Sequence, residues 1–156
     1  MKGAISSKDE QYHTYLKKLF IAIDNRQLQY NWLITDHECY PKNNEFANLL
    51  SAEYVWITGE ELTKMIQKED FQWIWAVLSG FKKDIQLEDI LKYELPYAKE
   101  NYDFWKSPVR IHHPLAEIEI IADDSTSTIV ISQDDEIVNS FIRFFPLSED
   151  YERYTV

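Results

Sequence analysis

Several residue types that build familiar functional sites are scarce in this sequence. Cys39 is the only cysteine, so no disulfide can form within the chain, and a reducing compartment such as the cytoplasm is expected. The three glycines, Gly3, Gly59 and Gly80, are too few and too far apart for a phosphate-binding loop or a dinucleotide-binding fingerprint. These absences argue against nucleotide-dependent chemistry.

The sequence also lacks long apolar runs and an excess of basic residues. No stretch approaches about 18 uninterrupted apolar residues, the length that predicts a membrane-spanning helix, and the start MKGAISSKDE lacks the apolar run of a signal peptide. The chain has 16 Lys and Arg and 27 Asp and Glu, which gives a formal net charge of −11. Because this field repels phosphate backbones and anionic lipids, neither nucleic acid nor a membrane is expected as a partner.

Aromatic residues, by contrast, are abundant. The chain has 5 Trp, 10 Tyr and 8 Phe among 156 residues, more than one core of this size needs, so some rings are expected at the surface. With 45% hydrophobic and 28% charged residues, the chain has the composition of an ordinary globular protein. Its length is close to the commonest domain size, and we expect a single domain over 1–156.

Apolar stripes of helical spacing follow capping boxes at two places. In each box a Ser or Thr precedes a Glu by three residues, an arrangement that satisfies free N–H groups at a helix start. The two boxes are Ser7–Glu10 and Thr58–Glu61. They predict helices at about 8–24 and 59–68. A further helix is predicted from about Asp135 to Pro146, and a short one is possible at LEDILKY.

Alternating or continuous apolar runs predict about five strands. Five of them fall at 28–34, 53–57 and 71–81 and in a hairpin at 117–122 and 127–132, a short opening strand is possible at 2–6, and a polar loop lies at TDHECYPKNN. Strands and helices do not alternate regularly. The expected fold class is therefore α+β, with a mixed or mainly antiparallel sheet of about five strands and three or four helices packed mainly on one face.

Three segments resemble an uncharacterised family of small bacterial proteins, found mostly in Bacillus relatives and known only as a domain of unknown function. They are KGAIS, WIWAVLSGF and AEIEIIADDSTSTIVISQDDEI, the last of which places Asp124 and Ser125 at the turn between two strands. The resemblance spans most of the chain, although the stretch 94–114 is longer than is typical of the family. It implies a relationship and no catalytic residues.

Two pairs of residues are the weak candidates for metal ligands. His37 and Cys39 lie in one polar segment, and His112 and His113 are adjacent, but neither spacing matches a zinc motif. A catalytic role for Cys39 would need a lowered thiol pKa, and its acidic neighbours oppose that. We therefore expect no metal, no cofactor and no catalytic residue.

The run YELPYAKENYDFW has the composition of a protein interface, since it mixes aromatic rings with charges. Packing over the sheet would explain the same composition. The candidate contact residues are Tyr93, Tyr97, Tyr102, Phe104 and Trp105. The sequence favours a non-catalytic, acidic, cytoplasmic protein-binding module, with a basic protein as its partner, as in small immunity proteins. A third possibility is a homodimer that forms through a sheet edge or through this aromatic run.

The alternative is a small-ligand-binding protein or an enzyme with an aromatic pocket beside the sheet. If 71–81 is a regular strand, Trp73 and Trp75 share one face of it and can stack together on a flat ligand. Such a site requires a cleft with at least two polar groups beside exposed indoles.

Overall fold

The structure is a computed structural model that describes residues 1–156. The strands are β1 (Lys2–Ser6), β2 (Tyr30–Cys39), β3 (Tyr54–Thr58), β4 (Trp73–Lys82), β5 (Ile118–Asp123), β6 (Ser127–Ser132) and β7 (Glu149–Asp150). The helices are α1 (Leu16–Ala22), α2 (Asn44–Leu49), α3 (Gly59–Lys68), α4 (Leu87–Ile90) and α5 (Asp135–Phe144). No helix has both the length and the apolar character needed to cross a membrane.

All seven strands join one antiparallel sheet in the order β3-β2-β4-β5-β6-β1-β7. The α+β class and the antiparallel sheet are confirmed, but the sheet has seven strands, not about five. Helices α1, α3 and α5 cover one face and bury their apolar residues against it. The segment 83–117 and the C-terminal turn Tyr151–Tyr154 close the other face with a second apolar core.

Helix α3 starts where its capping box predicts. The Thr58 hydroxyl accepts the backbone N–H of Glu61 at 3.1 Å, and the hydroxyl in turn donates to the Glu61 carboxylate at 3.0 Å. The hairpin β5–β6 and helix α5 also lie close to their predicted positions. The local sequence was sufficient to predict these elements because the residues at turns and helix caps agree with the apolar pattern.

The predicted helix at 8–24 is wrong in its first half, since α1 begins only at Leu16. The residues before it pair with the sheet instead. The carbonyl of Thr14 accepts the N–H of Trp73 at 2.9 Å, Tyr15 forms an isolated bridge with Gln72, and the Thr14 hydroxyl lies 2.6 Å from that of Thr128. These long-range bonds compete successfully with the local helical pattern.

The polar segment TDHECYPKNN is not a simple loop. Strand β2 continues through Cys39, and helix α2 follows at Asn44. The Asn43 side chain caps α2 by accepting the backbone N–H groups of Glu45 at 2.9 Å and Phe46 at 3.2 Å. Residues 36–44 are partly or fully exposed, which accounts for the polar composition.

The two tryptophans of β4 lie on opposite faces of the sheet, so the prediction that they share a face is wrong. Strands β2 and β4 pair regularly as far as Thr35 and Val77, and beyond that pair the register shifts twice. The next pairs are Glu38–Trp75 and Cys39–Trp73. Because a bulge reverses the alternation of side chains, Trp73 is fully buried in the helix-side core, whereas Trp75 packs against the opposite core.

Gly59 is required at the start of α3 because two backbone oxygens lie too close for a side chain. A Cβ atom there would be 2.2 Å from the carbonyl oxygen of Gln27 and 2.8 Å from that of Tyr30. We expect Gly59→Ala to lower the free energy of unfolding by about 1–3 kcal/mol, measured by urea denaturation. Gly3→Ala, where a Cβ meets side-chain atoms at 3.1–3.2 Å, serves as the control; an equal loss in the two variants contradicts this explanation.

Candidate functional site

The segment 83–117 forms two clefts on either side of Leu95–Tyr97. One cleft, of about 260 Å³, has Glu94, Asn101, Asp103, Arg110 and His112 in its lining; we call it the His112 cleft. The other, of about 400 Å³, has Thr35, Asp36, His37, Leu50 and Glu53 in its lining; we call it the Asp36 cleft. Tyr97 lines both. Together they make a concave surface with many polar side chains.

A buried carboxylate fixes the segment to the sheet. Glu119 on β5 is fully buried, and its two oxygens accept the backbone N–H of His112 at 2.9 and 3.1 Å and that of His113 at 3.3 Å. The Ser79 hydroxyl on the neighbouring strand β4 lies 3.5 Å away. A buried charge is tolerated only with such partners, so these bonds hold the chain at 112–113 in one position.

Glu119 also orients the ring of His112. The Nδ1 atom of His112 lies 3.0 Å from the Glu119 carboxylate, and the ring packs against Phe104 with centroids 3.9 Å apart. Nδ1–H of His112 is the donor of this bond, since a carboxylate oxygen accepts. Nε2 is buried and has no partner within the protein. His112 therefore lines the cleft with a ring that Glu119 orients and that has one buried nitrogen without a partner.

His113 points away from both clefts and has a structural role. It is fully buried, its Nε2 lies 2.9 Å from the carbonyl of Ile90, and its Nδ1 accepts the N–H of Leu115 at 3.2 Å. The ring meets Phe81 and Tyr93 edge-on, with centroids 5.0 and 5.3 Å apart. Burial is the main reason that the pKa of His113 is lowered from its ordinary value.

This lowered pKa predicts a loss of stability in mild acid. As the pH falls through about 6.5, the unfolded chain protonates His113 before the folded chain does, so stability present above that pH is lost until the folded pKa is reached. In NMR titrations we expect the His113 ring to stay neutral in the folded protein at a pH where it is charged in urea. A folded His113 that titrates at or above the pKa of the unfolded chain contradicts this.

The four candidate metal ligands do not converge. Nε2 of His37 lies 2.7 Å from the carbonyl of Leu50, and His113 is engaged with Ile90. Burial, with a smaller effect of Glu38, raises the pKa of Cys39 to about 12, so the thiol stays protonated. No three His, Cys, Asp or Glu side chains form a group that would hold a metal ion.

The five aromatic candidates divide into an exposed and a buried set. Tyr93, Tyr97 and Tyr102 are 45%, 44% and 76% exposed. Phe104 is buried under His112, and Trp105 packs edge-on against Tyr151 with centroids 5.7 Å apart. Buried Phe104 and partly buried Trp105 pack under the segment, and the three tyrosines present their rings to solvent. We call these three the tyrosine surface.

The charges around Tyr97 are mostly negative. Asp36, which has a positive φ of 47° in the bulge of β2, accepts the backbone N–H groups of Ala98 and Lys99, each at 2.8 Å, and so fixes the turn after Tyr97. Glu53 and Glu94 are exposed and take part in no ion pair. Each of these two carboxylates lines a cleft that Tyr97 also lines, and each is free to bind a cation.

Sequence reasoning missed Glu119, although a signal was present. Glu119 stands between isoleucines in the strand IEIIA, where its neighbours predict a strand covered on both faces. A carboxylate at such a position needs donors from another part of the chain. These donors are the backbone N–H groups of His112 and His113, which precede Glu119 by seven and six residues in the sequence.

Comparison with curated proteins and with solved structures gives no match. A family described as "Protein of unknown function (DUF2691)" matches residues 1–149. The match includes β1 to β6, all five helices and both clefts. The chain therefore belongs to this family of proteins of unknown function.

Proposed function

We propose that this chain is a non-catalytic, cytoplasmic protein-binding module that holds a basic segment of a partner protein on the tyrosine surface. The observation that supports this most directly is the combination of three exposed tyrosines with the unpaired carboxylates Glu53 and Glu94. Tyrosine gives large contact area at a low cost in side-chain entropy. Carboxylates beside the tyrosine rings favour a partner segment that contains lysine or arginine.

Two further properties favour a basic partner. The net charge of −11 attracts a basic protein over long range and speeds the encounter. The segment that bears Tyr97 is already fixed by Asp36 and Glu119, so little ordering is needed on binding. Neutralising a basic toxin or enzyme, as an immunity protein does, is one role that fits this chemistry.

Calorimetry with a short lysine- and arginine-rich peptide tests the proposal. At physiological ionic strength, Tyr97→Ala and Glu94→Gln are each expected to weaken binding about tenfold, the effect of losing an interface contact of about 1.4 kcal/mol. Tyr12→Ala is the matched control, because Tyr12 is 60% exposed but lies outside the site. Equal affinities for all three variants, or no binding of the peptide, contradict the proposal.

A small-ligand site at the His112 cleft is a second candidate function. The alternative predicted from the sequence, an aromatic pocket beside Trp73 and Trp75 with both indoles stacking on one ligand, fails because these side chains lie on opposite faces. The His112 cleft instead has both the oriented ring of His112 and the cation of Arg110 in its lining. Such a pair suits a small ligand that bears an anionic group and a hydroxyl that can hydrogen-bond to an imidazole.

NMR titration of the His112 ring with lactate, which carries a carboxylate and a hydroxyl, tests this second candidate. Binding at the cleft is expected to shift the Nε2 resonance of His112, and Arg110→Gln is expected to abolish the shift. His113, which is fully buried, is an internal control. Equal shifts in the two histidines, or none, contradict a ligand site of this chemistry.

A further inference from the structure

The sheet ends at β3 in a strand whose outer edge has no partner. β3 is terminal in the strand order and pairs only with β2, and its residues make no backbone bond to any other element. Proteins normally protect such edges with short strands, proline or charge. The opposite edge strand, β7, has only two residues. The sequence of β3, YVWIT, contains neither proline nor charge, so this edge is open to another strand.

A groove of about 500 Å³ lies next to this edge, between α2 and α3. Its floor is apolar and is made by Phe46, Leu49, Ile57 and Met65. Leu49 is 41% exposed, whereas the other three are buried. An apolar groove beside an unpaired strand is the arrangement of a surface that another chain covers.

The rim of the groove has a balanced charge. It carries two carboxylates and two ammonium groups, from Glu45, Glu61, Lys64 and Lys68. None of these four takes part in an ion pair within the chain. In a protein of net charge −11, two copies repel each other over most of their surface, and this rim is a place where they can approach without that penalty.

From these observations we propose that the β3 edge is the interface through which two copies of this chain form a dimer. A two-fold axis beside Trp56 runs β3 antiparallel to β3 of the second copy and joins the two sheets into one. The same axis brings together the two grooves, which lie on the same side of the joined sheet. Because a two-fold interface is self-complementary, a rim with equal numbers of acidic and basic groups pairs with its own copy.

Sedimentation of the whole chain tests this dimer. We expect a solution mass twice that of the chain across the micromolar range, and Leu49→Glu is expected to reduce it to the mass of one chain. Leu147→Glu is the matched control, because Leu147 is 56% exposed and lies away from the groove; it should leave the dimer intact. A monomeric wild type overturns the proposal, even if the edge then binds an extended peptide.

Charge reversal of the rim separates this interface from any other. The variant Lys64→Glu/Lys68→Glu has an acidic rim, and Glu45→Lys/Glu61→Lys has a basic one; each alone is expected to be monomeric. An equimolar mixture is expected to restore the doubled mass, which also shows that both variants are folded. A wild-type dimer that survives Leu49→Glu and both reversals places the interface elsewhere and overturns the proposal.

Discussion

Replacement of Glu119 by leucine is expected to lower the free energy of unfolding by about 3–5 kcal/mol, the usual cost of removing one partner from a buried charged network. The leucine leaves the backbone N–H groups of His112 and His113 without acceptors in a dry environment, and each unsatisfied donor costs about 1–3 kcal/mol. Urea denaturation followed by circular dichroism measures the loss.

The matched control for this substitution is Glu136→Leu. Glu136 is exposed on α5, and its side chain lacks the buried donors that surround Glu119. We expect it to cost well under about 1 kcal/mol. If Glu119→Leu costs as little as the control, the segment 83–117 is held by its apolar contacts alone and the anchoring role of Glu119 is wrong.

Replacement of Trp73 by alanine is expected to be equally severe, at about 3–5 kcal/mol. Trp73 is fully buried in the helix-side core, where it packs against Phe71 with ring centroids 5.1 Å apart. Removing the indole leaves a large cavity, since neighbouring side chains relax only partly. Urea denaturation again provides the measurement.

Trp75→Ala is the comparison that tests the bulge. Trp75 is partly buried on the opposite face, so truncation there is expected to cost about 1–2 kcal/mol. Because the two sites lie in separate cores, the double variant should lose the sum of the two single losses. Similar single losses, or strong non-additivity, would indicate that the two indoles share one core.

Most of the fold could be predicted from the sequence where local chemistry and apolar pattern agree. The capping box at Thr58 and the hairpin β5–β6 are examples. Two of the failures come from long-range pairing of the backbone. Thr14 bonds to β4 in place of extending α1, and β7 has only two residues, too few to leave a periodic signal.

The composition of the segment around the candidate site could be read from the sequence, but its geometry could not. The aromatic run lies in the segment that contributes to both clefts, yet periodicity gives no means of separating exposed Tyr102 from buried Phe104, because the segment has little regular structure. The bulge that separates Trp73 from Trp75 depends on the register with β2, and register is a property of two strands together. The bond between Glu119 and His112 likewise depends on tertiary structure.

NMR of the tyrosine rings during titration with a short lysine- and arginine-rich peptide tests the proposed function most directly. Because a chain of charge −11 attracts basic peptides weakly over its whole surface, the titration is made at physiological ionic strength, where such attraction is screened. We expect saturable shifts in Tyr93, Tyr97 and Tyr102, with the exposed rings of Tyr12 and Tyr154 unchanged. Shifts of equal size in all five rings, or none, would contradict the proposed function.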